Sequence, residues 1–209
     1  MKSPFVLGAF AAFGAVCIVA IYLATGAFWW FFAGTRSHTA NLTPGDPYLA
    51  VLEALLVVIC PFFVVTMATL PAYAAREDSL YAYASLSFMT LLAGITASVH
   101  FVDLVVVRRM PAELRTSIAP VVSIPWHWPS VFFAVDLFAW DVFFGLSMLF
   151  GACVFVRRRQ DRLTRYLMLA SGVLCVVGVL GPVLDDLRFQ FAAIVGYAGW
   201  AGRFSYCSR

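Results

Sequence analysis

The sequence predicts an all-α fold, a polytopic bundle of transmembrane helices. Three observations carry this. Of 209 residues, 63% are hydrophobic and 12% charged, and a soluble domain carries about twice that charged share. Mean hydropathy is +0.90, and a chain of this size has too little interior to hide so much apolar surface from water. Apolar stretches long enough to cross a bilayer, which takes about 20 residues, recur along the whole chain. The same composition excludes disordered, collagen-like and small disulfide-stapled chains.

The elements follow in order. Residues 5–33 form the first span; their apolar run exceeds the roughly 7–15 residues of a signal-peptide core, so the segment reads as retained. Residues 48–75 form the second, with Glu53 near its start and Pro61 and Pro71 as expected kinks. Residues 80–107, 131–156 and 166–184 form the third, fourth and fifth. A short sixth segment, 189–202, has three glycines and falls below spanning length. No internal repeat and no low-complexity tract divides the chain, so 1–209 reads as one membrane-embedded domain.

Net charge is +3. The basic residues flank apolar spans, so they speak for topology and not for nucleic acid. The cluster Arg157-Arg158-Arg159, with Arg162 and Arg165, is the densest. Placed in the cytoplasm, it puts the N-terminus inside the cell membrane as well. Arg108 and Arg109 argue the other way. Trp29, Trp30, Trp126 and Trp128 fall at the outer boundary on this threading, where an aromatic belt is expected.

The same threading gathers the ionisable residues of the spans at one side. Glu53, His100, Asp103, Asp136, Asp141 and the pair Asp185-Asp186 all fall in the outer half. A carboxylate in hydrocarbon costs several kcal/mol unless paired, protonated or hydrated, so a shared acidic pocket is the cheapest arrangement. At about 100° per residue, Ser85, Thr96, His100 and Asp103 fall within an arc of about 60°. That stripe should face the bundle interior, and His100 and Asp103 are spaced to touch and to handle a proton. A plain helix-packing hydrogen bond is the competing reading.

Asp136 and Asp141 lie about 140° apart around their helix and do not share a face. Trp140 and Ser147 fall on the Asp136 side, Gly145 and Met148 on the Asp141 side. Asp141 is the deeper of the two acids and the stronger site residue; Asp136 reads equally well as reaching the interface. Glu53 can serve its helix start, where the dipole favours an acid. Asp185 and Asp186 read most simply as a solvated helix end with Arg188. His127, between Trp126 and Trp128, is either part of an interfacial anchor or a lid group over the pocket. Ser147 and Gly151 read as a small-residue helix contact.

Several chemistries are excluded by the residues present. Lys2 is the only lysine and lies outside the spans, so no helix can carry a retinal Schiff base. His100 is the one histidine within a span, which argues against bis-histidine haem. Zinc-peptidase, nucleophile-elbow and phosphate-loop motifs are absent. The five cysteines, Cys17, Cys60, Cys153, Cys175 and Cys207, form no Cys-x-x-Cys pair. No cofactor and no metal is expected, and no catalytic residue is assigned.

The run from Pro129-Ser130 through Asp136, Trp140-Asp141 and Phe143-Phe144-Gly145, then Ser171-Gly172, Gly181-Pro182 and Gly196-Tyr197, resembles a group of uncharacterised bacterial multi-pass membrane proteins of about 200 residues. The likeness covers roughly the last third of the chain and implies no activity. In that group the Gly-Tyr run leads into more of a final apolar helix; here Gly199 to Arg203 and a polar tail follow.

Three functions remain open at the level of sequence. The leading one is an acidic pocket that binds or transports a small molecule or lipid, with the lipid bilayer as the other partner. The second is an intramembrane acid–base or metal-dependent enzyme on a lipid-like substrate. The third is a scaffold subunit without pocket chemistry.

Overall fold

The computed structural model describes residues 4–29, 31, 47–111, 113–114, 117–118, 128–156 and 161–201. Among them every regular element is helical. Five helical stretches are long and apolar enough to cross a membrane: Pro4–Phe28, Tyr48–Tyr73, Arg76–Arg109, Val131–Val154 and Arg162–Leu184. They agree with the five spans expected from sequence. In lipid a backbone has no water to bond, so long apolar segments close their hydrogen bonds internally as helices.

Helix α1, Pro4–Phe28, has 25 residues, enough for about 30 Å of hydrocarbon at 1.5 Å per residue. Its small face, Gly8, Ala11, Ala12 and Ala15, is buried. A β-carbon at Gly8 would lie 2.6 Å from Thr69 Oγ1, and one at Gly14 2.4 Å from the Phe62 ring. Small residues thus let α1 lie close along the second span.

The second span is α2, Tyr48–Ala68, followed by α3, Leu70–Tyr73. Pro61 sits inside α2 without ending it. The helix breaks at Thr69 instead, two residues before Pro71, which has no N–H to continue the ladder. Thr69 Oγ1 donates to the Thr66 carbonyl at 2.7 Å and closes the break.

The third span is α4, Ser79–Val105. Ser85, Thr96, His100 and Asp103 are all buried on it, as the phase of the stripe requires. The fourth begins with α5, Val131–Phe138, capped by Ser130, whose Oγ accepts from Phe133 N at 3.1 Å. It widens into a π-helical stretch, Ala139–Phe144, and continues as α6, Gly145–Val154. No feature of the sequence announces the π stretch.

The fifth span is α7, Arg162–Gly178, with α8, Leu180–Leu184, beyond a break at Val179. The sixth segment is α9, Gln190–Ala201, with 12 residues; that is about 18 Å of rise, short of a crossing. The packing order is α1 on α2, α2 on α4, α4 on α6, α6 on α7 and α7 on α9. The apolar core runs through this row, with Ile59, Phe63, Met67, Met89, Leu92 and Phe144 fully buried. Bulky apolar side chains elsewhere, such as Phe10, Leu23 and Val183, face outward, as lipid-facing surface does.

Two small-residue contacts set the helix spacings. Ser85 and Ser147 donate to each other's carbonyl at 2.8 Å, tying α4 to α6. Gly145 and Gly172 face each other so closely that a β-carbon on Gly172 would meet the Gly145 carbonyl at 2.8 Å. At Gly151 an added β-carbon would reach Met168 Cε at 2.5 Å, so the expected Ser147–Gly151 contact is present, shared between α4 and α7.

Candidate functional site

The buried ionisable groups of the spans sit toward the end of the bundle where α2, α5 and α9 begin and α4 ends. One acid departs from this one-sided pattern: Asp78, at the opposite end, is also buried. The remaining groups fall into two sets on opposite sides of the fourth span.

The first set is built on His100. This ring is 1% exposed, and Glu53 beside it also 1%. Glu53 lies on the inward face of α2 with Leu52, Ile59, Cys60 and Phe63, so its carboxylate has no route to water along its own helix. Its Oε2 lies 2.6 Å from His100 Nδ1. His100 Nε2 points the other way, 3.4 Å from Asp136 Oδ2. Asp136 Oδ1 accepts from Thr96 Oγ1 at 2.9 Å. A carboxyl–imidazole–carboxyl chain therefore crosses from α2 through α4 to α5. A doubly protonated ring donates toward both acids, whereas a neutral ring donates toward one.

Asp103 lies one turn beyond His100 and is 3% exposed. Its expected contact with His100 is not made: both ring nitrogens face acids on neighbouring helices, which leaves neither for Asp103. Its Oδ2 has no hydrogen-bond partner, and the same holds for Glu53 Oε1 and His100 Nε2. Electrostatically, Asp103 is within range of Glu53 and His100, and Tyr22 of α1 is within range of Glu53 and Asp136. The expectation that Asp136 reaches the interface is corrected as well: it is 8% exposed and bonded inward. Nor does Glu53 act at its helix start, since its carboxylate bonds across to α4.

The second set is built on Asp141, which is 0% exposed. It lies in the π stretch, whose wider turn presents it to α7 and α9. Its Oδ2 accepts from Gln190 Nε2 at 2.7 Å, and its Oδ1 from the Tyr197 hydroxyl. The same Gln190 nitrogen donates to the Gly178 carbonyl at 3.0 Å. Nearby, Ser171 Oγ donates to the Gly196 carbonyl at 2.6 Å. A β-carbon at Gly178 would lie 3.0 Å from Asp141 Oδ1 and 2.6 Å from Ala193 Cβ; glycine there admits the acid and α9 together. Both Asp141 oxygens are thus engaged in holding α9, and its bonded partners are distinct from those of His100. Hydrogen bonds thus divide the residues expected around a single shared pocket into two sets, with Asp136 within electrostatic range of Asp141.

At the rim, Trp128 Nε1 donates to Asp185 Oδ1 at 2.7 Å. Asp185 adopts φ 54° at the end of α8, a left-handed position that aspartate tolerates better than most residues. Asp186 pairs with Arg188, Nη2 to Oδ2 at 2.5 Å, and the hydrogen bonds from Arg188 hold its carboxyl below the usual carboxylate range. The solvated, paired helix end expected from sequence is present. His127 lies outside the described residues, so the lid reading is not addressed by them.

Sequence reasoning missed Gln190 and Tyr197 as partners of Asp141. It placed Glu53 and His100 in one pocket without pairing them directly. Charge complementarity could have found the latter pair, because a buried acid needs a partner and His100 is the one histidine in a span. Among the described residues no group of three or more His, Cys, Asp and Glu is placed to hold a metal ion. Comparison with protein-family models, with curated proteins and with solved structures finds no match. The likeness to bacterial membrane proteins rests on the residues quoted for it alone.

Proposed function

We propose that residues 1–209 act as one membrane-embedded unit whose acidic site binds or moves a small molecule or a lipid. The site is formed by Glu53, His100, Asp103 and Asp136. On the threading that places Arg157 to Arg165 in the cytoplasm, it lies in the outer half of the cell membrane and the N-terminus is inside. One observation carries the reading: buried oxygens of Glu53 and Asp103 are left without a donor. Buried polar atoms are nearly always paired, and an orphaned one costs about 1–3 kcal/mol. Such groups call for an explanation, and a bound molecule that completes them is the one proposed.

Asp141 supports that site from outside. Its bonds are satisfied within the protein, so it serves as a fastener for α9. Native mass spectrometry of the protein released from lipid nanodiscs tests the reading. Wild type retains a non-protein adduct that Asp103→Asn loses. Equal occupancy in the two proteins, or none in wild type after exposure to membrane extract, overturns it.

The carboxyl–imidazole–carboxyl chain also favours a second reading, acid–base catalysis on a lipid-like substrate. Incubation of the purified protein with membrane lipids separates the two, because an enzyme changes lipid masses and a binding protein does not.

A further inference from the structure

The ligand's chemistry can be read from the atoms left unpaired, an inference that rests on the binding reading above. Glu53 Oε1 and Asp103 Oδ2 are carboxyl oxygens without partners, on side chains 1% and 3% exposed. Such oxygens accept hydrogen bonds and attract positive charge. Two carboxyl groups, of Glu53 and Asp136, flank one imidazole, and Asp103 lies within electrostatic range of it. Acids outnumber the single basic side chain there. An anion, including a phosphate group, would add acceptors to acceptors and charge to like charge. A tightly coordinated metal ion finds no suitable ligand group among the described residues. A quaternary ammonium has charge but no N–H, and would leave both oxygens orphaned.

We infer that the site takes a primary ammonium group, carried by a free small amine or by an ethanolamine headgroup, whose N–H donors pair Glu53 Oε1 and Asp103 Oδ2. An ammonium offers three donors on one compact cation, enough to serve two carboxyl oxygens. Excess negative charge falls at the same time.

The test uses the full chain in nanodiscs, with methylammonium chloride as probe and tetramethylammonium chloride at equal ionic strength as the control. Thermal unfolding is followed against probe concentration. Methylammonium should raise Tm saturably and tetramethylammonium should not, since only a ligand that binds the folded state shifts the midpoint. Asp103→Asn and Glu53→Gln should each weaken the apparent affinity at least about tenfold, the scale of one lost charge-assisted bond. Tyr197→Phe, in the other polar set, should leave it unchanged. Discs of phosphatidylcholine and of phosphatidylethanolamine separate the two sources. A response abolished in phosphatidylethanolamine indicates a headgroup already seated, and a response in both indicates a free amine.

Equal shifts from both cations, no shift from methylammonium in phosphatidylcholine, or wild-type affinity in both acid variants would overturn the inference. If the adduct described above is nevertheless retained by wild type and lost from Asp103→Asn, the binding reading survives with a different ligand class. If adduct and response are both absent, both readings fall.

Discussion

Asp141 gives the sharpest quantitative expectation, because each of its oxygens has a named donor on the same neighbouring helix. Tyr197→Phe removes the hydroxyl and leaves Oδ1 of a fully buried acid without that donor. The loss is about 1–3 kcal/mol by the cost of an orphaned buried acceptor. Measured interhelical bonds in membranes average nearer about 0.6 kcal/mol, which sets the lower bound. Asp141→Ala removes both acceptors at once, leaving Gln190 Nε2 with only its 3.0 Å bond to the Gly178 carbonyl and the Tyr197 hydroxyl without its acid. It should also cost about 1–3 kcal/mol. The two changes share one group, so the double variant should cost less than the sum by at least about 0.5 kcal/mol. Detergent-driven unfolding in mixed micelles measures the cycle. A local readout accompanies it: Cys175 is fully buried under α9, where a β-carbon on Gly196 would lie 2.9 Å from its sulfur. Thiol labelling at Cys175, read by peptide mass, should speed up in each single variant as α9 lifts. Additive energies within about 0.3 kcal/mol, with Cys175 labelling unchanged, would refute the idea that Asp141 fastens α9.

Two further outcomes follow from the packing and from the orphaned oxygens. Gly172→Ala pushes a β-carbon to 2.8 Å from the Gly145 backbone carbonyl, which cannot rotate away, so it should destabilise by about 1–3 kcal/mol in the same unfolding assay. Gly94→Ala is the matched control: nothing lies within 4 Å of its added carbon, and the change should be neutral or slightly stabilising. Asp103→Leu removes a buried oxygen that has no donor and should stabilise the ligand-free protein by about 1–3 kcal/mol while abolishing the response to methylammonium. Loss of stability in that variant would show that Asp103 is satisfied within the protein.

The spans were legible because each is long, apolar and separated from the next by polar or proline-rich stretches. The inward stripe of α4 was legible for a related reason. Phase within one helix follows from residue spacing, so the burial of Ser85, Thr96, His100 and Asp103 follows too. Along the fourth span Asp136 and Ser147 turn toward α4 and Gly145 toward α7 as spacing predicts, but Trp140, placed by spacing on the Asp136 side, packs on Tyr197 beside Asp141. What spacing does not give is the rotation of one helix against another. That is why His100 was paired in sequence with Asp103, three residues along, when its nitrogens reach Glu53 on α2 and Asp136 on α5. The break expected at Pro71 lies at Thr69, in the turn before the proline, where the missing N–H takes effect.

Depth and side are separate constraints on where buried groups meet. A common depth for Glu53, His100, Asp103, Asp136 and Asp141 was inferred from the threading, and it led to the expectation of one cavity. Depth alone does not bring groups together, because a helix also divides space by side. The fourth span separates Asp136 from Asp141 by its turn, and the π stretch gives Asp141 a wide turn facing α7 and α9. The two sets then differ in a way that bears on function. Around Asp141 both oxygens have donors and a glycine makes room for the contact, which is how a stabilising interaction is built. Around His100, carboxyl oxygens of equal burial are left open. Folding stability alone would favour closing them with an apolar or amide side chain. Acids left open in one set, beside an acid with both oxygens engaged in the other, are why the proposed ligand is assigned to Glu53 and Asp103 and not to Asp141.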